Sequence, residues 1–352
     1  MVAARGGGPA PYIYVCTRMR VRKSKLLPRE EYLRMLNMSL PEITRIIEET
    51  EYKREIDELA TSFRGVDLIE IGISWNLAKE FQKIIAIAPG SLKDFTRLYL
   101  RRWDIQNMLT ILRGKTQGAR AGKIKEALIP AGELDRIFLD RLLAEESVDR
   151  IVEMLKGRRI YPVVARELPA AVESGVFSRM ENELYKQFYA DLLSETGAGL
   201  RGGSQFKKFL ELDIDLTNIR NMFRLRADGM QEDAKDICIP GATFTQDEFQ
   251  RMIGMETKTE FIDSLKMKIR SPGLLQILES LREKGSLREI EIDLIRVQID
   301  QMEKLAKIYP FSIHPILAYL ERKKYEVFNL RAIARGKAAE LPGEELRQYL
   351  VI

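Results

Sequence analysis

The sequence predicts an all-α protein built from three similar helical units. Two observations carry this. Runs at 29–37, 43–60, 134–154, 260–269 and 287–307 place apolar residues three and four apart, with few of the alternating stretches that a strand needs. One segment then occurs three times along the chain at a constant step. Its frame is Phe95, Leu98, Asp104, Ile105, Asn107, Met108, Leu112, Arg113 and Lys115. The second copy is Phe206, Phe209, Asp215, Leu216, Asn218, Ile219, Phe223, Arg224 and Arg226. The third is Leu317, Leu320, Glu326, Val327, Asn329, Leu330, Ala334, Arg335 and Lys337. An acid, an Asn three later, an Arg nine later and a base eleven later recur without a gap between apolar positions, which is the mark of a repeated supersecondary unit.

Each copy reads as one long helix. The first begins near Ser91 and Asp94, spaced like a capping box after Pro89 and Gly90, and Gly118 stands where a C-terminal cap belongs. The second follows Gly202, Gly203 and Ser204 and stops at Gly229. On a helical wheel Phe95, Leu98, Ile105, Met108 and Leu112 share one stripe, which needs a partner surface. A shorter helix precedes each long one: Asn76 to Phe81, Glu183 to Phe188, and Gln301 with Lys304. An apolar–Pro pair opens the next helix, Ile129 with Pro130 and Ile239 with Pro240, and Leu27–Pro28 and Leu341–Pro342 occupy the corresponding places at the two ends. The stretch 341–350 therefore reads as the opening helix of a fourth unit that does not continue, and Arg18 and Arg20 as the end of a unit that did not begin. The expected domains are 1–118 with 341–352 docked on it, 119–229, and 230–340.

Composition limits the chemistry. Hydrophobic content of 45% and charged content of 31% describe an ordinary globular chain. No apolar run approaches the roughly 20 residues of a membrane span, and residues 1–11 lack the core of a signal peptide, so an intracellular protein is expected. Cys16 and Cys238 have no partner pattern and are expected to be reduced packing residues. The net charge of +5 comes from 57 basic against 52 acidic residues. Its clusters at 18–25, 101–125, 156–159 and 322–324 lack the aromatic interleaving of a nucleic-acid platform. A helical-repeat nucleic-acid-binding module is nevertheless the alternative reading.

The repeated set is a poor catalyst. Along a helix Asp104 and Lys115 stand roughly 16 Å apart, too far to act on one bond. Each is placed instead to bond a neighbouring helix end, and Asn107 to cap a loop. The same holds for Asp215, Asn218, Arg224 and Arg226, and for Glu326, Asn329, Arg335 and Lys337, so all twelve are expected to be structural or interface positions. His314 is the only histidine, which leaves histidine metal clusters and histidine-based triads without material, and it is expected to cap or pack. The glycine-rich stretches 5–9 and 197–203 lack the features of phosphate loops. No catalytic, cofactor-binding or metal-binding residue emerges.

The segment YLRRWDIQNMLTILRGK at 99–115 resembles the signature helix of the C subunit of V/A-type rotary ATPases, equivalent to the d subunit of the vacuolar enzyme. The stretches 14–34, containing KSKLLPREEY at 23–32, and 331–349 are similar to the same family. The resemblance implies a funnel of three helical domains around a pseudo-threefold axis, with neither catalytic residues nor a cofactor. It implies a central-stalk coupling, seated between the rotor subunits D and F and the cytoplasmic face of the membrane rotor ring in a proton- or sodium-transporting ATP synthase or ATPase. It implies no nucleic acid and no small-molecule ligand.

Overall fold

The computed structural model describes residues 10–196, 202–230, 234–283 and 286–352. The glycine-rich stretch 5–9 and residues 197–201 of the second one lie outside the described residues. The all-α expectation holds: every regular element among the described residues is helical. In order they are α1 (Ala10–Lys23), α2 (Arg29–Met35), α3 (Leu40–Glu48), α4 (Lys53–Leu59), α5 (Gly65–Ile87), α6 (Gly90–Leu100), α7 (Arg102–Thr116), α8 (Ala121–Glu126), α9 (Arg136–Ala144) and α10 (Val148–Met154). There follow α11 (Tyr161–Ser174), α12 (Ser178–Thr196), α13 (Gly203–Ala227), a 3₁₀ turn (Ala234–Ile237), α14 (Gln246–Ile253), α15 (Lys258–Lys268), α16 (Pro272–Ser280), α17 (Leu287–Ile308), α18 (His314–Ala338) and α19 (Gly343–Arg347).

The chain divides into two compact units. One comprises Met1–Ile43, Ile87–Thr96 and Leu193–Ile352, the other Thr44–Ala86 and Arg97–Leu192. In the first, one core joins α13 through Leu216, Met222 and Phe223 to the helices that follow it, through Phe249, Phe261, Leu278 and Leu294. In the second, α5 buries residues on most of its circumference, Ile69, Ile73, Leu77 and Phe81 among them, as a helix does when it is enclosed by others. The repeated segment keeps its frame in both units.

The long helices start and stop in step. α13 and α18 begin at equivalent positions of the repeat, Gly203 and His314, and Thr116, Ala227 and Ala338 end the three copies at equivalent positions too. The first copy is not one uninterrupted helix as the sequence predicts. At Arg101 the N–H is shared between the Arg97 and Leu98 carbonyls, and Asp104 N–H reaches back only to Arg101, so a turn of 3₁₀ geometry separates α6 from α7. Ser91, expected to open that helix, bonds through its hydroxyl to the Tyr12 hydroxyl at 2.8 Å.

Each copy ends in the same left-handed cap. Gly118, Gly229 and Glu340 take φ of +69°, +68° and +56°, and the next N–H closes back on Gly114, Leu225 and Gly336 at 2.8, 3.0 and 2.9 Å. Glu340 is the one non-glycine with positive φ among the described residues. A side chain there strains the backbone by roughly 1–2 kcal/mol. Glu340→Gly is therefore expected to raise stability by about 1 kcal/mol, read as a later denaturant midpoint at unchanged slope. An unchanged or earlier midpoint would mean that the Glu340 side chain returns the strain through contacts of its own.

Beyond the first and third caps a short helix packs back on the long one. A Cβ at Gly114 would lie 2.6 Å from the Ile124 side chain, and one at Gly336 would fall inside Leu346. In the second copy Leu225 sits where the glycine was, and the 3₁₀ turn that follows packs on α14 instead. So α19 does not open a fourth unit. It takes the place of α8, and the apolar–Pro pair at 341–342 misled because proline marks the first turn of any helix, whichever its role.

Candidate functional site

Seen from the side chains upward, the repeated set forms three clamps of one design. Each Asn pairs through its amide with both backbone groups of a single residue. Asn107 donates from Nδ2 to the Ile129 carbonyl and accepts the Ile129 N–H at Oδ1, both at 2.8 Å. Asn218 does the same to Ile239 at 2.8 and 2.9 Å, and Asn329 to Val351 at 2.9 and 2.8 Å. All three Asn are at most 2% exposed, so the backbone groups they satisfy have no water to turn to.

The acid and the base grip the two ends of one short helix. Asp104 accepts the N–H groups of Glu133 and Leu134, both at 2.9 Å, just ahead of α9. Asp215 accepts the N–H and hydroxyl of Thr243 at 2.9 and 2.7 Å, just ahead of α14. Glu326 accepts the Leu27 N–H at 2.6 Å, just ahead of α2. At the far end Lys115 donates to the carbonyls of Leu143 and Glu145, Arg226 to those of Met252, Ile253 and Met255, and Lys337 to that of Leu36. Leu143, Ile253 and Leu36 each lie eight residues past the N-cap, at Asp135, Thr245 and Pro28. Eleven residues along the long helix thus bracket a helix of two to three turns. An acceptor stands where free N–H groups point out and a cation where free carbonyls do, which also suits the helix dipole.

Only the third clamp is assembled from distant chain. Its Asn holds Val351, while its acid and base hold α2, near the opposite end of the sequence. The counterparts of Ile129 and Ile239 are therefore Val351 rather than Leu27 or Leu341, a correction to the pairing read from the sequence. The spacing contained the signal, since Val351 stands 22 residues after Asn329 as Ile129 does after Asn107. Gly132 and Lys323 carry no such signal. A Cβ at Gly132 would collide with the Asp104 carboxylate, so only glycine lets this loop turn its N–H groups onto it. Lys323 bonds Glu326 at 2.8 Å with both side chains 3% exposed.

The fourth repeated residue points elsewhere. Arg113 pairs with Glu181 of α12 at 2.6 Å, and Arg224 pairs with Glu291 of α17. Arg335 carries contacts of its own. His314 is buried at the first turn of α18, stacked on Tyr309 with Nδ1 2.9 Å from the Ser312 hydroxyl. Burial, together with the Lys208 charge, lowers its pKa to about 4, so the ring is neutral at pH 7. Cys16 and Cys238 are both buried and free. Among the described residues no group of three or more His, Cys, Asp or Glu has the geometry of a metal site.

Burial pushes the Asp104 carboxyl up to about 7, against the pull of the Leu134 and Glu133 N–H groups. The folded chain thus holds a proton that the unfolded chain releases near pH 4. Such a group favours the fold below its unfolded pKa, and the contribution is lost as pH rises through about 7. Asp104→Asn removes the titration. The variant is expected to be less stable than the parent at pH 4, because its amide Nδ2 faces one of the two N–H donors, and the gap should narrow by up to about 4 kcal/mol by pH 7. Parallel stability curves for the two proteins between pH 4 and 7 would show that Asp104 stays ionised.

The three clamps bond backbone and hold helix ends. The comparisons agree with a chain of that kind. The family model described as ATP synthase (C/AC39) subunit matches residues 15–349. The C subunit of the A-type ATP synthase of Methanococcoides burtonii is 37% identical over 351 residues, covering 99% of this chain and 96% of the relative. The proteins of the same name from Methanosarcina acetivorans and Haloferax volcanii are 36% and 35% identical, each covering 98% of this chain and 94% and 99% of the relative. With the match running over the repeated helix of every clamp, the chain belongs to the ATP synthase (C/AC39) subunit family.

Proposed function

We propose that this chain is the non-catalytic central-stalk subunit of an A-type ATP synthase, coupling the rotating stalk subunits D and F to the membrane rotor ring in proton or sodium transport. Membership of the family makes it a subunit of the ATP synthase complex, and the named stalk and ring partners extend that reading. The observation that carries the extension is the third clamp, which ties residues 27, 36 and 351 onto one long helix. A coupling that transmits torque must not open. Closing the last repeat with both ends of the chain resists splaying, and close-packed helices transmit strain. In this reading residues 1–118 with 341–352, 119–229 and 230–340 form three domains about a pseudo-threefold axis, a socket on the cytoplasmic face of the membrane. The twelve repeated residues are its joints. Among the described residues no helix is long and apolar enough to cross a membrane, as suits a subunit that meets the ring from outside.

The test is coupling in the assembled enzyme. Complexes lacking this chain are expected to keep ATP hydrolysis by the catalytic head while losing ATP-driven ion pumping. Pumping that survives would overturn the reading. So would sub-micromolar binding of DNA or RNA at physiological salt, which would favour the helical-repeat nucleic-acid module instead.

A further inference from the structure

The unit formed by Thr44–Ala86 and Arg97–Leu192 contains an open groove of about 920 Å³. The outer face of α5 forms one wall, with Ala78, Gln82, Ile85 and Ala86, and α9 with the loop before it forms the other, with Leu128 and Leu139. A helix with its side chains fills about 420–610 Å³ per turn, so the groove has room for roughly one and a half to two turns.

The chain itself indicates what such a face receives. When α17 is laid along α5, its buried positions Ile290, Ile292, Leu294, Ile299 and Met302 fall in one register on Ile69, Ile71, Ile73, Ala78 and Phe81. This is one turn from the match of Asn76 with Gln301 offered by the sequence. In that register Glu303, Ala306 and Lys307 take the places of Gln82, Ile85 and Ala86. In the other unit α1, packed along α18, flanks this face and leaves a crevice over it. Lys23 bonds Glu303 at 2.5 Å, Cys16 donates to the Ser312 carbonyl and Arg20 to that of Pro310, and Met19 shares a crevice with Glu303, Ala306 and Lys307.

The charges differ between the two faces. The helix α1 carries Arg18, Arg20, Arg22 and Lys23 and no acid, and it docks on Glu303. At the open groove the position of Glu303 is Gln82; the rim holds Lys83 and Arg97, and its acids are engaged, Asp140 with Lys125, Asp135 with the Phe138 N–H and Glu133 3.9 Å from Arg101. Arg97 is exposed and pairs with no acid among the described residues, and Lys83 stands 3.8 Å from Glu80. The other rim cations are already engaged: Lys79 with Glu55 and Glu58, Lys125 with Asp140, and Arg136 over the Trp75 ring. A second copy of α1 would bring like charge to this rim.

We propose that the groove is the docking site for an amphipathic α-helix of a partner subunit, one with an apolar stripe for the wall of α5 and an acidic flank for Lys83 and Arg97. The proposal rests on the reading of the chain as a subunit of the assembled enzyme. Such helix-in-groove contacts take affinity from the apolar stripe and orientation from the rim.

Ala86, exposed in the groove, is a site for a probe, because Cys16 and Cys238 are buried. The full-length Ala86→Cys chain, labelled with a benzophenone maleimide, is assembled into the complex and irradiated. The expected product is one cross-link to another subunit, at a peptide that is amphipathic and acidic. Lys83→Glu with Arg97→Glu should cut that yield at least tenfold at low salt with the thermal midpoint unchanged, and Ala86→Trp should block the groove in the same way. A complex that assembles without the cross-link, or cross-links to a basic helix, to lipid or to a second copy of this chain, overturns the proposal and leaves the stalk reading intact. A chain that joins no complex overturns both.

Discussion

Deleting residues 342–352 is expected to lower the stability of the folded chain by on the order of 6 kcal/mol, although the segment is only a one-turn helix and a short extension. Leu346, Leu350 and Val351 are 2%, 0% and 7% exposed. Re-exposing side chains of this size costs roughly 1.5–3 kcal/mol each. Asn329, 2% exposed, loses both bonds to Val351, which adds about 1–3 kcal/mol for an unsatisfied buried amide. Leu346 also fills the space over Gly336, so its loss leaves a cavity beside the long helix. Tyr349 lies under the Arg288 guanidinium, 3.9 Å from the ring centre, and Arg296 bonds the Leu350 carbonyl. Against a typical total of about 5–15 kcal/mol, a loss of this size brings the unit close to unfolding. Denaturant unfolding followed by circular dichroism measures it, with Asn329→Ala as a milder companion expected to cost about 2 kcal/mol. A truncated chain with the parent's midpoint would make the segment peripheral and remove the physical basis for a closed third repeat.

The repeat was legible because it is written in side chains. Asp104, Asn107 and Lys115 and their copies are polar residues at fixed offsets on an apolar helix, and sliding the chain along itself until Phe206 meets Phe95 exposes them. That the base reaches a helix end also followed from geometry, since a separation of three helical turns excludes a joint site. What the residues hold could not be read in the same way. Their partners are backbone groups, and backbone looks alike in every residue, so Ile129, Ile239 and Val351 are marked only by being apolar and by their spacing of 22, 21 and 22 residues from the Asn. The apolar–Pro dipeptide was more conspicuous; it marks Ile129 and Ile239 but misleads at Leu27 and Leu341, where the third partner is Val351. Glu340 was hidden for the opposite reason: the structure forces a left-handed cap there, and the residue does not announce it as Gly118 and Gly229 do. Lys323 reads from sequence as a charge on a basic helix face and is instead enclosed with Glu326. The groove beside α5 left no trace either, because an open volume is the absence of a partner residue and has no sequence of its own.

The three acids, alike in sequence, are expected to differ in what they contribute. Replacing Asp215 by Ala should cost at most about 1 kcal/mol, because the carboxyl is only half-buried and its bonds to Thr243 lie near solvent. Asp104→Ala should cost about 1–3 kcal/mol, since it strands the N–H groups of Glu133 and Leu134 beside a residue 5% exposed. Glu326→Ala should cost the most, on the order of 4 kcal/mol. It removes the acceptor of the Leu27 N–H and also the carboxylate facing the Lys323 ammonium, whose side chain is 3% exposed. Breaking one half of a buried ion pair is far more damaging than replacing both halves by apolar groups. Lys323→Met combined with Glu326→Leu should therefore recover about 2 kcal/mol relative to Glu326→Ala, with the remaining deficit belonging to the Leu27 N–H. The cycle of single and double variants, read from denaturant midpoints, separates the two. Equal losses for all three acids, or no recovery in the double variant, would mean that Lys323 reaches water when its partner is gone. The third clamp would then be held by Asn329 and Lys337 alone.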